Sequence, residues 1–160
     1  MVQTKGSRID DVRIDHSTAR IVMLGVPDVP GVASKVFSPL AEKGIGAEMI
    51  VQNSMRGGMT DIGFLVKKDR LDDAISLCRS VASSIEAQGV SFNTEIARVI
   101  IAGAGLSEDP AIAANTFTAL AEVGVNIEMI VSNSLSVTCV VAASDAEKAS
   151  AALRKCFGLN

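Results

Sequence analysis

The sequence contains neither tryptophan nor tyrosine, and phenylalanine accounts for only five of its 160 residues. Nucleic-acid-binding domains stack bases on aromatic side chains, and the net charge of −3 further disfavours a nucleic-acid partner. There is no run of 18 apolar residues, and residues 1–15 contain no apolar segment, so we expect neither a membrane span nor a signal peptide. These absences favour a globular protein that we expect in the cytoplasm.

Residue types used in catalysis and metal binding are also scarce. His16 is the sole histidine, and the three cysteines are too scattered for the spacing of metal ligands. The Gly-Ala-Gly stretch at 103–105 lacks the third glycine of a dinucleotide site and the Gly-Lys-Ser/Thr of a phosphate-binding loop. We therefore predict no catalytic residues, no metal and no cofactor, in a chain that is not an enzyme by itself.

The sequence does contain an internal duplication. Residues 40–54 read LAEKGIGAEMIVQNS, and residues 120–134 read LAEVGVNIEMIVSNS. At this offset of 80 residues, 13 of the 25 positions from 30 to 54 are identical to their partners. A repeat of this length has the size of a small domain, so the chain is predicted to hold two similar domains.

Hydrophobic periodicity predicts the same series of strands and helices in each half. The first half has strands at 18–26, 45–52 and 60–66, with helices at 30–44 and 71–85. The second half has strands at 97–103, 125–132 and 135–142, with helices at 110–122 and from a Ser144/Glu147 capping box to about 157. Pro39 is expected to kink or shorten the first helix. This order predicts an α+β protein with two ferredoxin-like βαββαβ domains.

Two short strands, 11–15 and 90–95, remain to be placed. The second half lacks a fourth strand, and an unpaired sheet edge is a liability, so strand 11–15 is predicted to complete the second sheet. The first domain would then comprise residues 17–95, and the second residues 10–16 plus 96–160. The two domains would be intertwined by an exchanged strand, with residues 1–10 as a loose tail.

The turn and helix start between Gly25 and Ala33 are the best candidate for a binding site. The N–H groups of Gly31, Val32 and Ala33 lack helical partners and lie at the positive end of the helix dipole. A carboxylate fits there, and Asp28 can either cap the helix or attract an ammonium group. The segment suits a free α-amino acid, and an ordinary capped helix explains it equally well.

Three segments together carry a family resemblance: GVPDVPGVASKVF at 25–37, IGAEMIVQNS at 45–54 and DPAIAANTFTALAEVGVNIEMI at 109–130. They resemble the paired ACT domains at the C-terminal end of bacterial aspartate kinases, over about residues 10–158. The catalytic domain of that family, with its Lys-Phe-Gly-Gly-Thr-Ser stretch, has no counterpart here. The resemblance implies a regulatory (beta) subunit or an excised regulatory region. Such chains bind threonine, lysine or both, and restrain the catalytic (alpha) subunit in lysine, threonine and methionine biosynthesis.

The resemblance also implies which residues meet the effector. In the first site these are Asp28, Gly31, Val32, Ala33, Ala47, Gln52, Asn126 and Ile127. A second, equivalent site would involve Asp109, Ala111, Ile112, Ala113 and Ser132. Ala111 stands where the first repeat has Gly31, so whether the effector occupies both sites equally is left open. The stretch 131–134, Val-Ser-Asn-Ser, departs from the family's Ser-Thr-Ser-Glu, which leaves the identity of the effector open.

The side chains near Gly31 favour threonine over lysine. Gln52 is the long polar side chain within reach and it is uncharged, whereas a buried lysine ammonium needs a carboxylate. Strand alternation predicts that Glu48 shares a face with Gln52. Lysine would regain the advantage if Glu48 pointed into the site.

The strands at 45–52 and 125–132 are predicted to lie at sheet edges. We expect a two-fold homodimer whose sheets join edge to edge, with effectors between repeats of different chains. An ACT pair that serves another amino-acid biosynthetic enzyme is the alternative function. A free-standing enzyme on a ferredoxin-like fold would need an arginine or an acid–base pair on one face, which the sequence does not offer.

Overall fold

The computed structural model describes residues 1–3, 8–54 and 56–160. Eight strands and four helices are found in these residues. They are β1 (Arg8–Asp15), β2 (Thr18–Pro27), α1 (Val32–Glu42), β3 (Glu48–Ser54), β4 (Met59–Lys67), α2 (Leu71–Ser84), β5 (Gly89–Asn93), β6 (Ile96–Ala104), α3 (Pro110–Glu122), β7 (Met129–Ser132), β8 (Ser136–Ala142) and α4 (Ala146–Phe157). None of these helices is long and apolar enough to cross a membrane.

The chain forms two compact units. The first unit is Ser17–Thr94, and the second unit combines Met1–His16 with Glu95–Asn160. Each unit has a four-stranded antiparallel sheet, with strand order β3-β4-β2-β5 in the first and β1-β6-β8-β7 in the second. Each sheet is packed against two helices, so the predicted pair of ferredoxin-like βαββαβ domains is confirmed.

Strand β1 completes the second sheet, as predicted. It pairs antiparallel with β6, in a register that aligns Val12 with Ile101 and Asp15 with Arg98. Val12 is only 1% exposed and packs in the second unit's core. The fourth strand of the first sheet is β5, which pairs with β2. Each long, apolar central strand is thus covered by an outer strand: β6 by β1, and β2 by β5.

Two ion pairs hold β1 in place. The Arg98 guanidinium donates to the Asp15 carboxylate, with Nε 2.9 Å from Oδ2 and Nη2 on the same oxygen, and these side chains are 13% and 24% exposed. Arg154, on α4, donates to Asp11 at 2.9 Å and to the backbone carbonyl of Val12. The strand is thus tied both to its neighbour in the sheet and to the helix layer.

The apolar stripes of the helices cover one face of each sheet. In the first unit, Phe37 of α1 meets Phe64 of β4 edge to face, with ring centroids 5.1 Å apart. Cys78 and Cys139 lie in the two cores, where burial raises the pKa of each thiol to about 11. These two cysteines are consequently inert at neutral pH.

Several predicted boundaries are corrected by the structure. Strands β3 and β7 begin at Glu48 and Met129, because the residues before them form loops whose apolar side chains, Ile45 and Val125, fill the core beneath the sheet. The predicted capping box is wrong, since Ser144 lies in a short 3-10 turn, Ala143–Asp145, and no side chain caps α4.

The expected early end of α1 at Pro39 is not found, because the helix continues to Glu42. Proline in the last turn removes only the hydrogen bond to the carbonyl of Lys35, an exposed residue whose carbonyl water can satisfy. The predicted loose tail is wrong at both ends of the predicted range, and residues 4–7 of it lie outside the described residues. Arg8 already belongs to β1, and Val2 is hydrogen-bonded to Asn115 of α3.

The ion pair on β1 leads to a stability prediction. We expect Asp15→Asn to lower the free energy of unfolding by about 2 kcal/mol, because it leaves the largely buried guanidinium of Arg98 without its carboxylate. Asp10→Asn is the matched control on the same strand. It breaks the pair of Asp10 with Arg8, whose side chains are 51% and 84% exposed, and should cost no more than about 0.5 kcal/mol. Urea denaturation measures both changes, and equal midpoints for the two variants would contradict the assigned role of Asp15.

Candidate functional site

The N-terminus of α1 is open. Its N-cap residue is Gly31, with φ +89°, and no side chain caps the helix. A β-carbon on Gly31 would meet nothing within 4 Å, so no other described part of the chain crowds this residue on that side. Glycine is required here by the left-handed backbone, and the open space lets a ligand approach the first amide groups closely.

Asp28 does not cap α1, contrary to one of the two roles predicted for it. Its Oδ2 accepts a hydrogen bond from the Ser54 hydroxyl at 3.1 Å, and its backbone N–H donates to the carbonyl of Gly58 at 2.8 Å. The helix begins at Val32, two residues later than the prediction from Pro30, because the turn carries Asp28 towards the β3–β4 hairpin. Asp28 is exposed, so its carboxylate is available to an ammonium group beside the helix start.

A bulge in β2 shapes the approach to this turn. The pairing of β2 with β4 shifts between Met23 and Val26, where Gly25 has φ +55° and donates its N–H to Asp61 Oδ1 at 2.8 Å. A β-carbon on Gly25 would come within 2.4 Å of the Gln88 side chain. Both ends of the turn are therefore fixed to strand β4 and the hairpin.

Gln52 lies on the helix-covered face of the first sheet. It pairs with Ile62, which packs in the core beneath the helices. Ser54 pairs with Thr60 and shares that face, the same side as the open end of α1. Gln52 is exposed at the sheet edge and is accessible to a ligand there.

The prediction that Glu48 shares this face is wrong. The register of β3 shifts between Glu48 and Val51, and Met49 at the shift has φ +49°. Two residues of β3 thus oppose one of β4, which is a β-bulge and reverses the alternation. Glu48 pairs with Leu65, whose side chain points to the other face of the sheet from Ile62.

The other residues of the predicted first site occupy different surroundings. Val32 is buried in the core, and its N–H already donates to the carbonyl of Val29 at 3.3 Å, so the prediction that this N–H lacks a partner is wrong. Ala47 packs against the same core just before β3. Ala33 is half-buried in the first turn. Asn126 and Ile127 belong to the second unit, in the loop before β7, where Asn126 is exposed and Ile127 packs on the second core.

The corresponding helix start in the second unit is already capped. Asp109 is the N-cap residue of α3, and its Oδ1 accepts the N–H of Ala111 at 3.0 Å. Asp109, Ala111 and Ile112 are 4%, 1% and 0% exposed. Ser132 pairs with Val137 and lies on the helix-covered face, the counterpart of Gln52, and Ala113 is half-buried. The protein's own carboxylate therefore occupies the anion position of this helix.

Sequence reasoning missed three residues that shape the open site. Ser54, Gly58 and Asp61 hold the turn through hydrogen bonds that span 26 to 36 residues of sequence. The only sequence signal was the Arg-Gly-Gly turn at 56–58, which predicts a hairpin but not its partner. Among the described residues there is no group of three His, Cys, Asp or Glu side chains that could hold a metal ion.

Comparisons with known proteins agree with this architecture. The ACT domain family matches residues 20–80 and 99–157. The regulatory subunit of aspartate kinase from Thermus thermophilus, in its ligand-free form, is 36% identical, with a TM-score of 0.88 over 93% of this chain and 98% of that one. A structure of aspartokinase alpha and beta subunits gives a TM-score of 0.88 at 31% identity, over 95% of this chain and all of the matched chain.

The full-length relatives are much longer. The aspartokinase of Thermus thermophilus is 35% identical over 154 residues, which are 95% of this chain and 38% of the relative. The chain thus spans little more than a third of that enzyme, and the matched part contains the two ACT domains. The chain belongs to the ACT-domain family of aspartate kinase regulatory subunits.

Proposed function

We propose that this chain is the non-catalytic, amino-acid-sensing subunit of an aspartate kinase, and that it binds threonine at the open start of α1. The observation that carries the proposal is the uncapped helix end at Gly31 next to the exposed carboxylate of Asp28. A free α-amino acid carries a carboxylate and an ammonium on one carbon. The helix amides and the aspartate offer the two complementary charges side by side.

The β3 bulge favours threonine over lysine as the effector. Gln52 lies on the helix-covered face and offers an uncharged amide, which suits a hydroxyl group. Glu48, the carboxylate that a lysine ammonium would need, points to the opposite face of the sheet. A charged ammonium without a partner is costly to bury, whereas a hydroxyl needs one good hydrogen bond.

The second unit supports effector binding less well. Asp109 already satisfies the first amide of α3, and its carboxylate would repel that of an effector. Ala111 and Ile112 are buried, so no ligand can approach their backbone as it can approach Gly31. We therefore assign the effector to the first unit, with Asn126 and Ile127 retained as family-implied contacts.

The partner in this proposal is the catalytic (alpha) subunit, whose activity the chain restrains when the pathway product accumulates. Purified chain with aspartate and ATP should form no aspartyl phosphate. Mixed with the catalytic subunit of the same organism's aspartate kinase, it should make that activity sensitive to threonine. The catalytic subunit alone is the control. Phosphorylation by the isolated chain would contradict the regulatory function, and sensitivity to no amino acid would contradict the sensing role.

The exposed sheet edges support a homodimer as the working assembly. β3 and β7 are outer strands, each with an exposed isoleucine, Ile50 at 51% and Ile130 at 42%. The free backbone groups of such edges can pair with a strand of another copy, and a two-fold dimer would pair the edges of both β3 and β7. Light scattering at micromolar concentration with threonine present should give the mass of two chains. A monomer under these conditions would rule the dimer out.

Effector identity can be tested with a matched pair of variants on β3. Gln52→Ala should raise the Kd for threonine about fivefold, the effect of losing one hydrogen bond. Asn53→Ala is the control, because Asn53 pairs with Asp61 on the opposite face and should leave binding unchanged. Calorimetric titration with threonine and lysine measures both. Threonine affinity that ignores Gln52→Ala, or tight binding of lysine without threonine, would show that the ligand is wrongly assigned.

A further inference from the structure

The second unit has a groove between α3 and α4 that the proposed function does not use. Two adjacent cavities, of about 320 Å³ and 240 Å³, follow this groove and share Met1, Asn115 and Cys156 among their lining residues. Residues 1–3 line the larger cavity, together with Ile112 of α3 and Phe157 of α4. A segment distant in sequence thus lies in a groove between two helices.

Asn115 holds this segment by its backbone. The Val2 N–H donates to Asn115 Oδ1 at 2.8 Å, and Asn115 Nδ2 donates to the Val2 carbonyl at 2.8 Å. Asn115 is 4% exposed, so both polar ends of its amide are spent on one residue of the segment. The pair reproduces the two hydrogen bonds that a neighbouring strand would give, a form of recognition that needs an extended chain but no particular side chain.

The side chains of the segment contribute little to its binding. Met1 is 91% exposed and Val2 is 57% exposed, and the two cavities beneath them remain open. Apolar burial is therefore small, and the hydrogen bonds to Asn115 are the main attachment.

The buried asparagine is particular to the second unit. The residue of α1 that corresponds to Asn115 is Lys35, which is exposed. A buried asparagine in the middle of a helix is not needed by the fold, since the first unit forms the same helix without one. Burying this amide costs free energy unless it is hydrogen-bonded, so its presence requires a partner with both a donor and an acceptor.

We propose that Asn115 makes the α3–α4 groove a docking site for an extended polypeptide segment, and that residues 1–3 are the segment that occupies it. Cys156 is half-buried beside the segment, since it lines both cavities together with Met1 and its Sγ lies 3.8 Å from the Asn115 carbonyl. The docked segment would therefore restrict access to this thiol. It also adds an attachment on the helix layer for the part of the chain that carries β1. Because Asn115 binds only the backbone of residue 2, a substitution at this position affects docking only if it changes the backbone.

Substitutions at Val2 test this without altering the groove. Val2→Pro removes the N–H that donates to Asn115, whereas Val2→Ala keeps the backbone intact. Reaction of Cys156 with a soluble disulfide reagent reports the docking, since Cys78 and Cys139 are buried with a pKa of about 11. The rates are compared as rate constants of the thiolate, obtained from the pH dependence, because the N-terminal ammonium of Met1 lowers the pKa of Cys156 and its release would raise that pKa. We expect Val2→Pro to react about fivefold faster than Val2→Ala, and Val2→Ala to match the unmodified chain. Equal rates for the two variants would overturn the proposal.

A second pair of variants tests the helix side of the contact. Asn115→Ala removes both hydrogen bonds and should accelerate the reaction of Cys156 at least as much as Val2→Pro does. Thr118→Ala is the control, because Thr118 lines the smaller cavity while its hydroxyl donates only within α3, to Ala114 at 2.9 Å. If Thr118→Ala accelerates the reaction as much as Asn115→Ala, the effect belongs to general loosening of the helix and the docking role of Asn115 is wrong.

Discussion

The architecture depends on the hydrogen-bonding edge of β6. This strand pairs on one side with β8, so its other edge presents a row of backbone N–H and C=O groups that must be paired or covered. β1 supplies that cover from the far end of the chain, with a register that runs from Arg8 to Asp15. Two arginines, Arg98 and Arg154, then fix the strand at its acidic residues. The second unit is thus completed only when the two ends of the sequence meet, and the first unit is the insertion between them.

Duplication gave the two units the same series of elements, and small differences gave their helix starts different chemistry. In the first unit a left-handed glycine leaves the end of α1 uncapped and open. In the second, Pro110 occupies the first helical position and Asp109 caps the helix from a buried position. The same structural position is therefore an uncapped helix end in one unit and a closed helix cap in the other. A change from Gly31 to Ala111 is consistent with this, because alanine fits the helical backbone that Asp109 stabilises.

The sequence was sufficient to predict the fold but not the contacts of the site. The second repeat lacked a fourth strand and the strand at 11–15 was left over, so its pairing with the second sheet could be predicted. In a chain of this size, few other segments could cover an open sheet edge. Capping could not be predicted in the same way. Asp28 has the right residue type for a cap, yet its carboxylate bonds Ser54, 26 residues away, while Asp109 of the same type does cap its helix. Asp109 directly precedes the first residue of its helix, whereas Asp28 lies four residues before Val32, so the residue type alone does not decide which aspartate becomes a cap.

The face of Glu48 illustrates the same limit. Strict alternation placed it beside Gln52, and one extra residue at Met49 reversed the assignment. A bulge arises from the fit between two strands, so the pattern of either strand alone does not show it. The contact of Val2 with Asn115 escaped prediction for a related reason, since the partners are 113 residues apart and the buried asparagine reads as an ordinary polar position on a helix.

The position of β3 joins the proposed effector site to the proposed dimer. The turn that carries Asp28 is bonded to Ser54 at the end of β3 and to Gly58 in the hairpin, and Gln52 belongs to the same strand. β3 is also the outer strand whose free edge would meet another copy. An effector that binds Asp28 and Gln52 would act directly on the strand that would form the interface. Because coupling between two binding events is reciprocal, association of chains would in turn favour the effector-bound arrangement of the turn. In a dimer that pairs through β3, effector binding and chain association would therefore be coupled through this strand, without a conformational change in the core.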